Sequence, residues 1–107
     1  MHYIVTYPNE PGSRFDLDYY LKTHLPMSER LLKDYGFTGW EVEKGLAGPR
    51  GESPAFHCTT RLYFNDTERM RAGFMAHGEQ LRTDVRNYTD VEAIFTLAEE
   101  AGKQNLG

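Results

Sequence analysis

The spacing of apolar residues alternates along the chain between a period of two and a period of three to four. This order of periods constrains the fold more than any other feature. Alternating segments at about His2 to Tyr7, Phe37 to Ala47, Phe56 to Phe64 and Asp90 to Leu97 predict four β-strands. Helical spacing lies between the first two segments and again between the last two, so the predicted element order is βαββαβ.

The first predicted helix contains a proline within its apolar stripe. Asp16 is suited to cap the start of this helix, and Gly36 is suited to the left-handed conformation that ends many helices. Pro26 has no backbone N–H to donate, and its ring crowds the preceding turn. We therefore expect the helix to kink or split near Thr23 to Leu25.

The second predicted helix has a weaker pattern than the first. Asn65 with Glu68 three residues later is a fair N-cap signature. Gly73 and Gly78 interrupt the apolar stripe and lower the helix propensity, so they predict either close packing or a local break.

The element order predicts an α+β fold of the ferredoxin-like class. Antiparallel pairing of the middle strands gives a four-stranded antiparallel sheet with both helices on one face. The other face is then bare, and a second copy of the chain is its simplest cover, so we expect a homodimer. The domain is predicted to span residues 1–98, followed by a polar tail at 99–107.

Length, charge and cysteine content exclude several classes of protein. The 107 residues suit one domain, and a formal net charge of −4 without a dense basic run makes nucleic acid and anionic membrane surfaces poor partners. No apolar stretch is long enough for a membrane span. Cys58 is the single cysteine, which excludes an internal disulfide and favours a reducing, cytoplasmic location.

Short motifs spread over most of the chain resemble EthD-type proteins, a family associated with the degradation of ethyl tert-butyl ether. The most specific is the His-x-Pro of His24-Leu25-Pro26 together with the aromatic pair Tyr19-Tyr20. The other matching stretches are Tyr7-Pro8, Phe15-Asp16, Phe56-His57-Cys58, Tyr63-Phe64 and Asp84-Val85-Arg86-Asn87-Tyr88.

The resemblance implies a dimeric α/β barrel, in which two sheets close around a cavity. It also implies a place in the oxidative degradation or tailoring of small organic compounds. Barrels of the same class include polyketide cyclases, quinone-forming monooxygenases, muconolactone isomerases and haem-degrading enzymes, so the fold by itself leaves the reaction open.

His24 is the main candidate for a catalytic residue. It follows Tyr20 by one helical turn, and its imidazole titrates near neutrality, which suits acid–base work on a phenol or enol. We expect it to face the dimer cavity, supported by Tyr20 or another tyrosine, with a carbonyl freed by Pro26 accepting its ring N–H. The structural alternative is that His24 only packs against the sheet and satisfies that carbonyl.

Four further residues are candidates for substrate binding. Tyr7, Tyr20, Arg61 and Tyr63 offer hydrogen bonds to an oxygenated ligand, and the rings offer an apolar wall. Ordinary sheet packing is the alternative for each of them, and Trp40 is expected in the core or the dimer contact.

No metal or cofactor is expected. His57 and Cys58 are neighbours in a strand and point to opposite faces, so they cannot easily share one ion. His77 lies on an apolar helical stripe, as a haem ligand would, but no other residue supports haem. Asp84 is expected on a solvated helix face.

Three functional hypotheses remain open from the sequence. The first is a cofactor-independent enzyme of a monooxygenase-like or an isomerase- or cyclase-like kind, with His24 as acid or base on a small hydrophobic, aromatic or ether-derived compound. The second is a module that binds such a compound for a partner oxygenase without turning it over. The third is an accessory dimer whose cavity is filled by side chains.

Overall fold

The computed structural model describes all 107 residues. Four strands form in the predicted order: β1 (His2–Pro8), β2 (Phe37–Lys44), β3 (Phe56–Phe64) and β4 (Ile94–Ala98). Between β1 and β2 the helical region consists of α1 (Leu17–Tyr19), a π-helical segment (Tyr20–His24), α2 (Leu25–Leu32) and a 3₁₀ turn (Lys33–Tyr35). The second helix, α3 (Thr67–Val85), connects β3 to β4.

The sheet has the order β2-β3-β1-β4, and every neighbouring pair is antiparallel. Val5 of β1 lies opposite Thr60 of β3, which in turn lies opposite Val42 of β2. The predicted ferredoxin-like α+β fold is confirmed.

The core lies between the helices and one face of this sheet. The inward-facing side chains of β1 and β3 are buried against the helices, and Leu25, Leu32, Met70 and Leu81 are buried on the helical side. Because successive strand residues point to opposite faces, the intervening positions of β1 and β3 form the outer face.

Pro26 is accommodated without a break in the first helix. The chain widens into the π-helical segment before the proline, and the Leu25 N–H bonds the carbonyl of Tyr20, five residues earlier. Pro26 then falls in the first turn of α2, where its missing N–H costs little. Gly36 ends the region in the predicted left-handed conformation, at φ 80°.

The N-cap of α3 is Asp66, so the prediction of Asn65 is wrong by one residue. The Asp66 carboxylate accepts hydrogen bonds from the backbone N–H groups of Glu68 and Arg69. The Asn65 N–H instead donates to the carbonyl of Gly36, because this residue still pairs with the start of β2.

The two glycines of α3 cause no break, and Gly73 marks a close approach of two helical regions. A Cβ atom at Gly73 would lie 2.8 Å from Cβ of Tyr35 and 3.1 Å from a methyl of Leu32. The sequence predicted either close packing or a local break at these glycines, and the structure shows close packing.

Two strands are shorter than predicted. β4 starts at Ile94 rather than near Asp90, because residues before it bond the loop after β1: Thr89 pairs with Phe15, and the Asp90 carboxylate accepts from the Arg14 N–H. β2 ends at Lys44 rather than Ala47, where the chain enters a turn closed by the Gly48 N–H and the Glu52 carbonyl. None of the helices combines the length and the apolar character that crossing a membrane requires.

Candidate functional site

A cavity of about 290 Å³ lies between the sheet and the helices of a single chain. Its volume is close to the lower bound of about 300 Å³ for small-molecule pockets. The wall is mainly hydrophobic, with 11 hydrophobic residues among 15. Those residues are Tyr3, Val5, Tyr7, Tyr20, His24, Leu25, Ser28, Leu32, Leu62, Phe74, Gly78, Leu81, Arg82, Val85 and Phe95.

His24 lines this cavity from the end of the π-helical segment. The prediction that it faces a cavity between two sheets needs correction, because the helices that carry His24 cover the inner face of its own sheet. The imidazole therefore points into a cavity within one chain.

The ring of His24 is held by a carboxylate. Its Nδ1 atom lies 2.8 Å from Oδ2 of Asp84, near the end of α3. A carboxylate accepts hydrogen bonds only, so Nδ1 carries the proton and Nε2 is the basic nitrogen of the neutral ring. Nε2 makes no hydrogen bond within the chain and is not fully buried.

The predicted bond from the ring to a freed carbonyl is not present. The carbonyl of His24 itself accepts a hydrogen bond of 3.0 Å from the Ser28 hydroxyl, one turn later. The carboxylate of Asp84 accepts the ring N–H of His24, where the sequence analysis expected a backbone carbonyl as the acceptor.

Asp84 is fixed by neighbours on its other oxygen. The hydroxyl of Tyr19 donates to Oδ1 at 2.7 Å, and the side-chain amide of Asn87 donates to the same oxygen at 3.0 Å. The Asp84 side chain is only 12% exposed. The expectation of a solvated helix face at this position is therefore wrong.

The pKa values of the pair favour a neutral histidine beside an ionised aspartate. Burial lowers the pKa of His24, against the opposing effect of the Asp84 carboxylate. Partial burial by itself raises the pKa of Asp84, but hydrogen bonds from Tyr19, His24 and Asn87 outweigh it and the net change is downward. At neutral pH the ring is therefore free to accept a proton at Nε2.

Tyrosines surround the imidazole and fix its plane. The ring of Tyr20 stacks on His24 with 5.6 Å between centroids and 15° between planes, and Tyr88 packs at 4.8 Å. The hydroxyl of Tyr20 bonds that of Thr60 at 2.6 Å, so Tyr20 supports His24 by stacking rather than by a hydrogen bond.

A second pair of buried hydroxyls lies beside this group. Tyr7 and Tyr88 share a hydrogen bond of 2.7 Å between their hydroxyl oxygens. Burial raises the pKa of both phenols well above the usual value, so both keep their protons.

Two of the predicted binding residues do not reach the cavity. Arg61 and Tyr63 alternate with the buried residues of β3 and therefore project from the outer face of the sheet. Arg61 pairs with Glu43 at 2.7 Å, and the Tyr63 hydroxyl donates to Glu41 at 2.7 Å. Tyr7 and Tyr20, by contrast, both line the cavity.

The remaining candidates lie away from the cavity wall. His77 packs edge-on against Tyr35, and Trp40 packs against the core while its ring N–H donates to Glu29. Nowhere in the chain do three or more His, Cys, Asp or Glu side chains converge as a metal-binding group.

Sequence reasoning missed Asp84, Tyr88 and Arg82 as site residues. Asp84 and Tyr88 both lie in the Asp-Val-Arg-Asn-Tyr stretch that carried part of the family resemblance. That stretch was the one available signal for Asp84, whereas nothing in the local pattern distinguishes Arg82 from other helical arginines.

The fold and the site together define a small ferredoxin-like protein with a His–Asp pair at the wall of an apolar cavity. The chain belongs to the EthD-like family. It is 33% identical to an EthD-like protein from Ralstonia eutropha JMP134, over 96% of this chain and 93% of that one, with a TM-score of 0.88. The resemblance found in the sequence is thereby confirmed.

Two more distant structures share the fold. One is an ethyl tert-butyl ether (EthD) family protein from Bacillus halodurans C-125, 18% identical over 92% of this chain and all of that chain, with a TM-score of 0.66. The other is HapK from Hahella chejuensis, 14% identical over 98% of this chain and 99% of that chain, with a TM-score of 0.51. No protein-family model and no curated protein sequence matches the chain significantly.

Proposed function

We propose that this protein binds a small, mainly apolar organic compound and transfers a proton to or from it through Nε2 of His24. The observation that carries the proposal is the 2.8 Å bond between Nδ1 of His24 and Asp84, at the wall of a cavity of about 290 Å³. An imidazole with one nitrogen held by a carboxylate and the other directed to a ligand is the arrangement that general acid–base catalysis needs.

The chemistry requires a ligand with an acidic proton. Nε2 takes the proton from a phenol, an enol or a carbon next to a carbonyl, which leaves an anion on the ligand and an imidazolium on the protein. Asp84 stabilises that imidazolium without itself becoming protonated. Return of the proton to another atom of the ligand completes an isomerisation or a cyclisation step without any cofactor.

The same deprotonation is a first step for oxidation, provided that dioxygen acts as the oxidant and accepts the electrons of the ligand anion. A saturated ether has no acidic proton. Of the compounds that the family name suggests, an ether-derived carbonyl compound therefore suits His24 better than the ether itself.

The apolar wall favours an aromatic or aliphatic ligand of modest size. Val5, Leu25, Leu62 and Leu81 are buried in the core and offer no hydrogen bonds, so they select by shape. Ligands that lack an acidic proton fit this wall as well, and for them the protein acts as a binding module that serves a partner oxygenase.

Homodimer formation through the outer sheet face belongs to this proposal, as does a cytoplasmic location. The outer face presents Ile4 and Ile94 among threonines and charged side chains. Sedimentation equilibrium at micromolar concentration tests the dimer, and a monomer would contradict it.

A matched pair of probes tests the role of His24 in binding. 2-Naphthol and 2-methoxynaphthalene have similar shapes, but only the naphthol carries an acidic proton. We expect the protein to bind the naphthol more tightly, and His24→Asn to reduce that preference by about tenfold or more, which is about 1.4 kcal/mol. Isothermal titration calorimetry measures both affinities.

His77→Asn is the control, because it changes a histidine of the other helical region that does not line the cavity. It should leave the preference for the naphthol unchanged. If His24→Asn instead melts the fold while the affinities per folded molecule stay the same, His24 has a structural role and the proposal fails.

A further inference from the structure

Arg82 lies at the mouth of the cavity and is exposed to solvent. It belongs to a stripe of α3 that faces the cavity, formed by Gly78, Leu81, Arg82 and Val85 at helical spacing. No aspartate, glutamate or lysine lines the cavity, so Arg82 is the one permanently charged side chain in its wall.

The guanidinium of Arg82 lies one turn back along α3, over Gly78. A Cβ atom built at Gly78 would lie 2.8 Å from Nη1 of Arg82, so the absence of a side chain at this position leaves room for the guanidinium. Helical side chains lean toward the N-terminus of their helix, which explains this direction. The charge therefore lies beside the cavity rather than at the carbonyls that end α3.

The guanidinium also has no partner within the chain. Four of the seven other arginines bond acceptors of the protein: Arg14 donates to the Arg86 carbonyl, Arg61 to Glu43, Arg69 to the Asp34 carbonyl and Arg71 to Glu68. The side chains of the remaining three, Arg30, Arg50 and Arg86, are also unpaired, but none of them lines the cavity. No hydrogen bond or ion pair engages Arg82, although five N–H groups are available to it.

We propose that Arg82 binds an anionic group of the ligand, and that the natural ligand is a small apolar compound that carries a carboxylate. A planar guanidinium matches a carboxylate through two parallel N–H···O bonds. This inference rests on the proposed function, since it concerns the ligand of the same cavity. The net charge of −4 repels anions at long range, so their capture depends on this local charge.

Two-point binding follows from this arrangement. Arg82 holds the charged end of the ligand at the mouth, and the apolar wall holds its body. The ligand thereby enters in one orientation, with its uncharged part directed inward.

2-Naphthoate and 2-naphthamide test the proposal, since they have the same shape and differ in charge. At pH 7.5 and low salt, we expect calorimetry to show at least about tenfold tighter binding of the naphthoate. Arg82→Gln should remove that preference and leave the affinity for the naphthamide unchanged. Arg86→Gln is the matched control, because it removes the same charge one turn further along and outside the cavity, and it should retain the preference.

Equal affinities for the two probes in the unmodified protein would overturn the role of Arg82. So would an equal loss of preference in Arg86→Gln, which would indicate a general effect of charge. In both cases 2-naphthol binding that depends on His24 would leave the proposed function standing. If neither naphthoate, naphthamide nor naphthol binds, both proposals fail.

Discussion

Nδ1 of His24 and Oδ2 of Asp84 lie 2.8 Å apart although 60 residues separate them in the chain. The contact joins the end of the π-helical segment to the last turns of α3. It places the proton of the imidazole on Nδ1, toward a residue that does not line the cavity, and every functional expectation for His24 depends on it.

Asp84→Asn tests whether the carboxylate controls the proton position. The amide removes the negative charge that favours Nδ1–H and stabilises an imidazolium, so we expect the rate of any proton transfer to fall by about tenfold or more. Asp18→Asn is the control, because Asp18 is highly exposed and pairs only with Lys22. Equal rates in Asp84→Asn and in the unmodified protein would show that the pair has no catalytic role.

The pKa of His24 should lie below the ordinary histidine value of about 6.5, because burial disfavours the imidazolium. Titration of the ring by NMR measures it directly. In Asp84→Asn it should fall further, since the carboxylate acts to raise it. A His24 pKa above about 6.5 in the unmodified protein would contradict this account.

The same shift makes stability depend on pH. A folded state with a depressed His24 pKa binds fewer protons than the unfolded chain, so the free energy of unfolding falls as pH drops below about 6.5. The lowered pKa of Asp84 acts in the same direction at more acidic pH, from about 3.9 downward. Urea denaturation at neutral and at acidic pH should show that the free energy of unfolding falls less in His24→Asn than in the unmodified protein.

Gly73→Ala and Gly78→Ala should change stability in opposite directions. At Gly73 the new methyl group meets the base of the Tyr35 side chain, which cannot move freely, and overpacking of this kind costs about 1–3 kcal/mol. At Gly78 it meets only the mobile end of Arg82, so the gain in helix propensity of about 1 kcal/mol dominates. Urea denaturation measures both, and a stabilised Gly73→Ala would contradict the close packing.

Tyr7→Phe should destabilise the fold by about 1–3 kcal/mol, because it leaves the buried hydroxyl of Tyr88 without its partner. The double variant Tyr7→Phe/Tyr88→Phe should lose less unfolding free energy than the two single variants together, since no hydroxyl is then left unpaired. A double-mutant cycle in urea measures the coupling, and strict additivity would show that the bond contributes nothing.

The spacing of residues was sufficient to predict the fold and the part of the site that lies on the first helical region. The periods of apolar residues predicted the four strands and both helical regions, and the aromatic spacing predicted that Tyr20 and His24 lie together. The spacing also predicted a disturbance near Pro26, but not the π-helical segment that absorbs it.

The remainder of the site depends on how distant elements pack. Asp84 contacts His24 only because α3 crosses the π-helical segment near that residue, and no local pattern contains this information. Strand alternation correctly places Arg61 on the opposite face of the sheet from the residues next to it in β3. Which of the two faces borders the cavity depends on where the helices lie, and the alternation does not contain that information.

Deuterium exchange into 2-tetralone tests the central claim, that Nε2 of His24 removes an acidic proton from a ligand in this cavity. This ketone has two rings and acidic C–H bonds next to its carbonyl, and exchange in D₂O is followed by proton NMR. The account predicts that the unmodified protein accelerates exchange above the buffer rate and that His24→Asn abolishes the acceleration, while His77→Asn retains it. Equal acceleration by His24→Asn and the unmodified protein would contradict the assignment of His24 as the base.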